Sequence, residues 1–173
     1  MPKIRVFADT NVILEAFRTG CWRAISHHFA VETVEKCVEE TLTGNPADPR
    51  HIAVTSADLN TGLAGQHPVT RKEIATLVLS QPSCSTLDDG EQHLFAWLFA
   101  NKLLPSQVIL VTTADKAALV AAHELGWLDS MTSLEDLARK AGVGRVHLAT
   151  LALQYREDWL SRIKTKIKLE IIP

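Results

Sequence analysis

The sequence predicts an α/β protein built on a central, mostly parallel sheet, and three observations carry that prediction. Residues 4–8, apolar but for Arg5, lead directly into Asp9, Thr10 and Asn11, after which apolar residues recur at helical spacing. A buried parallel strand reads as such a nearly continuous run rather than as an alternation. Residues 107–115 repeat the design, with four apolar residues, a polar turn, Asp115 and a helix. Helix-type segments then alternate with further strand candidates along the chain, and 173 residues suit one domain with a substantial core.

Taken in order, the first helix is expected over about 12–17, stopping near Gly20, and a second short helix or turn over 22–29. Residues 29–31 are a strand candidate. Thr33 reads as the N-cap of a helix to about Leu42, with Val34, Cys37, Val38, Thr41 and Leu42 inward and Gly44 as its stop. Residues 44–68 are long for a plain connection and read as a functional loop or an inserted small element. Thr70-Arg-Lys-Glu73 is a capping box with Val69 and Ile74 placed to staple, opening a helix that ends at Ser80. Residues 83–87 suit a short strand. Asp88-Asp-Gly-Glu91 opens a helix to about Lys102 that is apolar nearly all round and so deeply packed. Strand 107–112 follows, then a helix from Lys116 closed by Gly126. Thr132-Ser-Leu-Glu135 reads as a second capping box, opening a helix closed by Gly142 with Arg139 and Lys140 in its last turn. In the tail, a helix is expected to about Arg162 and an edge strand over 163–171, where Lys164, Lys166, Lys168 and Glu170 alternate with other residues.

No apolar stretch approaches the ~20 residues of a membrane span. The N-terminus lacks the pattern of a secretory signal, so a cytoplasmic location is expected. Cys21, Cys37 and Cys84 are odd in number and share no CxxC spacing, which suits buried thiols in a reducing compartment. The net charge of −2 is uneven: residues 145–173 hold six Lys/Arg against three Asp/Glu, net +3, leaving −5 elsewhere. Such a balance does not suggest a general nucleic-acid coat, so any contact with nucleic acid must be local.

Carboxylates stand at four structured places: Asp9 and Asp115 at strand ends, Glu91 in a first helical turn, and Glu39 or Glu40 on a helix. Acids at helix N-termini also serve as caps and dipole partners. As a set they point further, because two carboxylates ~4 Å apart repel by roughly 4 kcal/mol at an effective dielectric of ~20. Convergent acids therefore need protons or a cation, and oxygen ligands without His or Cys favour Mg²⁺ or Mn²⁺.

Asp9-Thr-Asn11, Cys37-Val-Glu-Glu40, Asp89-Gly-Glu91 and Thr113-Ala-Asp115 resemble, in the same chain order, the acidic motifs of the PIN-domain ribonucleases. The resemblance spans roughly residues 3–141. It implies a PIN-like three-layer α/β/α domain over 1–144, with an insertion at 44–68 and the extension 145–173 packed on the same domain. It implies that Asp9, Glu40, Glu91 and Asp115 hold one or two Mg²⁺ or Mn²⁺ ions for RNA hydrolysis. Asn11 and Thr113 would brace the turns, and Lys116, Arg71 and Lys72 would meet phosphates of a single-stranded RNA. Helical geometry does not choose between Glu39 and Glu40; the Cys-Val-x-Glu pattern favours Glu40. Two partners stay open: an antitoxin protein, if the chain is a VapC-like toxin, and a second copy, if the tail strand pairs. The alternative is a catalytically silent PIN-like module that binds RNA or protein.

Other chemistries lack their residues. GxxxxGK[ST] and GxGxxG are absent, Asn11 stands where Asp-x-Asp needs an acid, and His123-Glu124 lacks the second His of HExxH. His27 and His28 are adjacent and read as a solvated pair, while the four Trp are scattered and read as core or interface.

Overall fold

The computed structural model describes residues 1–172. The chain runs β1 (Arg5–Ala8), α1 (Thr10–Arg18), α2 (Trp22–His28), β2 (Ala30–Val34), α3 (Glu35–Leu42), α4 (Ser56–Gly62), β3 (Gly65–His67) and α5 (Arg71–Ser80). It continues through α6 (Asp89–Ala100), β4 (Ile109–Thr112), α7 (Lys116–Glu124), α8 (Leu134–Lys140), α9 (Arg145–Leu148) and α10 (Glu157–Lys168). The four strands form one sheet in the order β3-β2-β1-β4, and every pairing is parallel. Phe7 lies beside Glu32 on one side and Val111 on the other.

Because successive strand residues face opposite sides, the sheet divides the core in two. Phe7, Val34, Ile109 and Val111 pack with residues of α3, α5, α6, α7 and α10. Val6, Ala8 and Val31 face the other way, into α1, α2, α4 and α8. The result is an α/β protein with helices on both faces of a parallel sheet. No helix is long and apolar enough to cross a membrane among the described residues. Cys21, Cys37 and Cys84 are free and buried.

Four local expectations are corrected. The tail strand over 163–171 is absent: α10 runs through Lys168, and Leu160, Ile163 and Ile167 share one face that packs into the core. Alternation also fitted those residues, but α7 and α8 offer α10 a helical seat and no strand edge. The tail-strand edge that would have paired with a second copy is therefore missing. Residues 83–87 belong to a 3₁₀ turn, Pro82–Thr86, since Pro82 supplies a helical φ at its start. Thr33 caps nothing; it sits inside β2, donates to the Ala8 carbonyl at 2.6 Å, and leaves Val34 at the N-cap of α3. The second capping box is displaced by one, with Ser133 accepting from Asp136 N–H. By contrast, the Thr70–Glu73 box has both of its reciprocal bonds.

The extension lies on the same body. Ala152 N–H donates to Glu15 of α1 at 2.8 Å, and Arg18 donates to the Thr150 carbonyl at 2.7 Å. Residues 44–68 contribute α4, whose Leu59 is fully buried, and the edge strand β3.

Candidate active site

The C-terminal ends of β1 and β4 lie side by side, with Ala8 in register with Thr112. Each strand therefore delivers the residue after it to one crevice, as open α/β sheets do. Asp9 follows β1 and Thr113 follows β4. The Thr113 hydroxyl lies 2.9 Å from Asp9 Oδ2 and 3.1 Å from Glu91 Oε1, so one hydroxyl joins a strand end to the first turn of α6. Asp115 N–H donates to that same hydroxyl oxygen at 3.2 Å.

Three of the acids are anchored in one way. Asp9, Asp88 and Asp115 cap α1, α6 and α7, each with Oδ1 accepting from the backbone N–H three residues on (Val12, Glu91 and Ala118). Three helix N-termini, each with positive partial charge, therefore carry an aspartate. The caps leave Oδ2 of Asp88 and Asp115 without a protein donor among the described residues, and the same holds for Glu91 Oε2.

Glu40 approaches from α3, where Thr10 Oγ1 donates to its Oε2 at 2.6 Å. Gly90 makes room for it: a Cβ there would stand 2.5 Å from Glu40 Oε2 and 3.0 Å from Thr10 Oγ1. Cys37, one turn before Glu40, directs its thiol to the Gly90 carbonyl at 3.4 Å. Burial pushes that thiol up to about 12, with the Asp9 and Glu40 charges adding to the effect, so it stays protonated and packs rather than reacts. Glu39 points away, with its side chain 63% exposed and paired to Lys36 at 3.4 Å.

The cleft of ≈140 Å³ is lined by Asp9, Thr10, Asn11, Glu40, Asp88 and Glu91. Asp115 is exposed and is not among the lining residues, though its charge acts on Glu91. Asn11 lines the cleft but is exposed and makes no side-chain hydrogen bond among the described residues, so the bracing expected of it falls to Thr10 and Thr113. Lys116, Arg71 and Lys72 are exposed and none lines the cleft. Arg139 and Lys140 are held by Asp136, and Arg139 also by Glu157. Asp88 is the residue that sequence reasoning reduced to a cap; a carboxylate at an N-cap carries no mark of where its second oxygen points.

Electrostatics separate this cluster from the other buried acids. Burial pushes Glu15 up, but the Arg18 guanidinium and the Ala152 N–H outweigh it and hold the carboxyl below the ordinary range. Glu32 behaves likewise between Arg5 at 2.6 Å and His67 at 2.6 Å. Asp9 and Glu91 are only 1% and 3% exposed and have no cationic partner among the described residues. Burial raises both; Asp88 adds to each, and Asp9 and Asp115 add further to Glu91. Two buried acids raised together share a proton or await a positive ion.

Among the described residues, no three His, Cys, Asp or Glu side chains are already arranged to hold a metal ion. Glu40 is turned to Thr10, while Asp9 and Glu91 close on Thr113. The donor set itself is all oxygen and suits a hard divalent cation. Fold and site together define an α/β protein with a carboxylate cluster at the C-terminal edge of its sheet, in which Asp9 and Glu91 are buried. No known family model matches the chain. No curated protein matches it either.

Proposed function

We propose that this chain is a PIN-like, Mg²⁺- or Mn²⁺-dependent ribonuclease that hydrolyses phosphodiester bonds of single-stranded RNA. The observation that carries the reading is the pair Asp9 and Glu91, buried at one hydroxyl with no cation among the described residues to balance them. A folded protein tolerates such a pair at a cost, and a divalent ion removes that cost. Asp9, Glu91, Asp115 and Glu40 would hold the ion, with Asp88 as a fifth carboxylate in reach of the same cleft. The ion, once bound, supplies charge to activate water and to steady the phosphate in the transition state.

The chain supplies position. Thr113 fixes the facing oxygens of Asp9 and Glu91, Thr10 fixes Glu40, and the backbone N–H groups of Val12, Glu91 and Ala118 keep three aspartates from swinging out. Fixed acids lose little reorganisation energy when charge develops. Lys116, exposed next to Asp115, would meet a phosphate outside the cleft.

The test is cleavage of a labelled single-stranded oligoribonucleotide with Mn²⁺, with EDTA, and with the Asp9→Asn variant. The reading requires product in the first case alone. A second reading, a silent RNA- or protein-binding module, draws on the absence of ready-made metal geometry among the described residues. RNA binding without any Mn²⁺-dependent product would favour it.

A further inference from the structure

At the opposite end of α1 from the acids lies a larger groove, ≈1180 Å³, between α2, α4 and the residues before β1. α1 has nine residues, so about 13 Å of helix separates the two sites. The groove is lined by Lys3, Arg23, His27 and His28, against a single acid, Asp58. Asp58 is already engaged, accepting from Thr55 at 2.7 Å in the cap of α4. Arg23, His27 and His28 are exposed, and Lys3 and Arg23 form no ion pair among the described residues. Lys3 and Arg23 thus bring two positive charges without ion-pair partners among the described residues to one groove of a protein of net charge −2.

The same groove also has an aromatic wall. Phe17 is partly exposed in the groove and stacks on the buried Trp22 beneath it, with centroids 4.9 Å apart. Gly62 permits the depth: a Cβ there would come within 2.5 Å of the indole Nε1, so only glycine lets α4 close on Trp22. Positive side chains and a supported aromatic face in one groove are what a single-stranded nucleic acid uses, with phosphates on the cations and a base on the ring.

We propose that this groove is a second contact for single-stranded RNA, which holds the strand away from the cleft; this rests on the ribonuclease reading for its substrate class. The groove takes phosphates through Lys3 and Arg23 and a base on Phe17. Only an RNA of several nucleotides reaches both sites, so the groove sets a preference for longer substrates.

The experiment uses the full chain and two probes, oligoribonucleotides of about 20 and about 4 nucleotides. Binding is measured on the Asp9→Asn background in EDTA, and cleavage with Mn²⁺ on the otherwise unchanged chain. Lys3→Glu with Arg23→Glu should weaken binding of the long probe about tenfold or more. It should also flatten the log–log salt dependence by about 1.4, or ~0.7 per phosphate lost. The same pair should raise KM for the long probe and leave cleavage of the short one unchanged. Phe17→Leu should weaken RNA binding but not binding of polyglutamate, which has charge and no bases. Unchanged affinity and salt slope in the charge pair would overturn the proposal, as would equal losses on RNA and polyglutamate in Phe17→Leu. Failure of the ribonuclease reading is a separate result: neither probe is cut with Mn²⁺, whatever the groove variants do to binding.

Discussion

Thr10 and Glu40 are joined by a 2.6 Å hydrogen bond that ties the first turn of α1 to α3 and turns one of two adjacent glutamates into the cleft. Glu39, its neighbour, is spent on Lys36 at the surface. Glu40→Gln should therefore lower Mn²⁺-dependent cleavage by more than the ~10–100-fold typical of an outer-shell change, and Glu39→Gln should leave it near wild type. Thr10→Val should fall between them. Equal loss in both glutamate variants would mean that α3 acts through its fold and not through one carboxylate.

Gly90 is held to glycine by contact and not by φ. A Cβ there meets Glu40 and Thr10, while one at Gly144 meets nothing within 4 Å. Gly90→Ala should destabilise by about 1–3 kcal/mol, in the range of other overpacking changes, and displace Glu40. Gly144→Ala should stay within about 0.5 kcal/mol of wild type. Urea unfolding of the two variants decides it, and equal midpoints would contradict the crowding.

Burial raises Asp9 and Glu91 above the ordinary carboxylate range, which fixes a sign. A carboxyl with a raised folded pKa binds its proton more tightly in the folded state, so the metal-free fold is penalised when the group ionises. The penalty is absent below the unfolded value of ~4 and grows as pH rises through the folded value. Asp9→Asn should therefore stabilise the metal-free protein relative to wild type, more at about pH 8 than at about pH 5. Mn²⁺ should raise the wild-type Tm more at the higher pH, since it competes with protons for the same oxygens. A variant-minus-wild-type difference that shrank with rising pH would contradict the shared-proton account.

The tail offers a test of period. Ile163 and Ile167 are buried on α10, whereas Ile171 is 63% exposed. Ile163→Ala and Ile167→Ala should each cost about 2–5 kcal/mol, and Ile171→Ala less than about 0.5 kcal/mol. Thermal or urea unfolding reads this directly; comparable losses at all three positions would fit an alternating strand and not the helix.

The tail also shows where sequence information runs out. Leu160, Ile163 and Ile167 fit a helical period, while Ile163, Ile167, Leu169 and Ile171 fit an alternating one; packing on α7 and α8 selects between them. The β1 and β4 strands were legible because a buried parallel strand is a bare apolar run, and with them came the positions of Asp9 and Asp115. The Thr70 cap was legible because its box has one reading, whereas Thr132-Ser133 offers two hydroxyls and Glu135-Asp136 two acids. The turning of Glu40 inward depends on Thr10 and Gly90, distant in the chain. The cationic groove was illegible for the same reason, since Lys3, the α2 residues and α4 meet only in the fold.

Asp9, Asp88 and Asp115 each hold a helix end with one oxygen; the other meets the Thr113 hydroxyl in Asp9 and has no protein donor in Asp88 and Asp115 among the described residues. Architecture and charge thus reside in a single side chain, and they can be divided chemically. Asparagine caps a helix about as well as aspartate, whereas alanine costs ~0.5–2 kcal/mol at such a position. At these three positions an Asp→Ala scan would confound a loosened helix with a lost ligand. The amide keeps the scaffold and removes only the negative charge, making the Asn series the instrument that separates what this site builds from what it does.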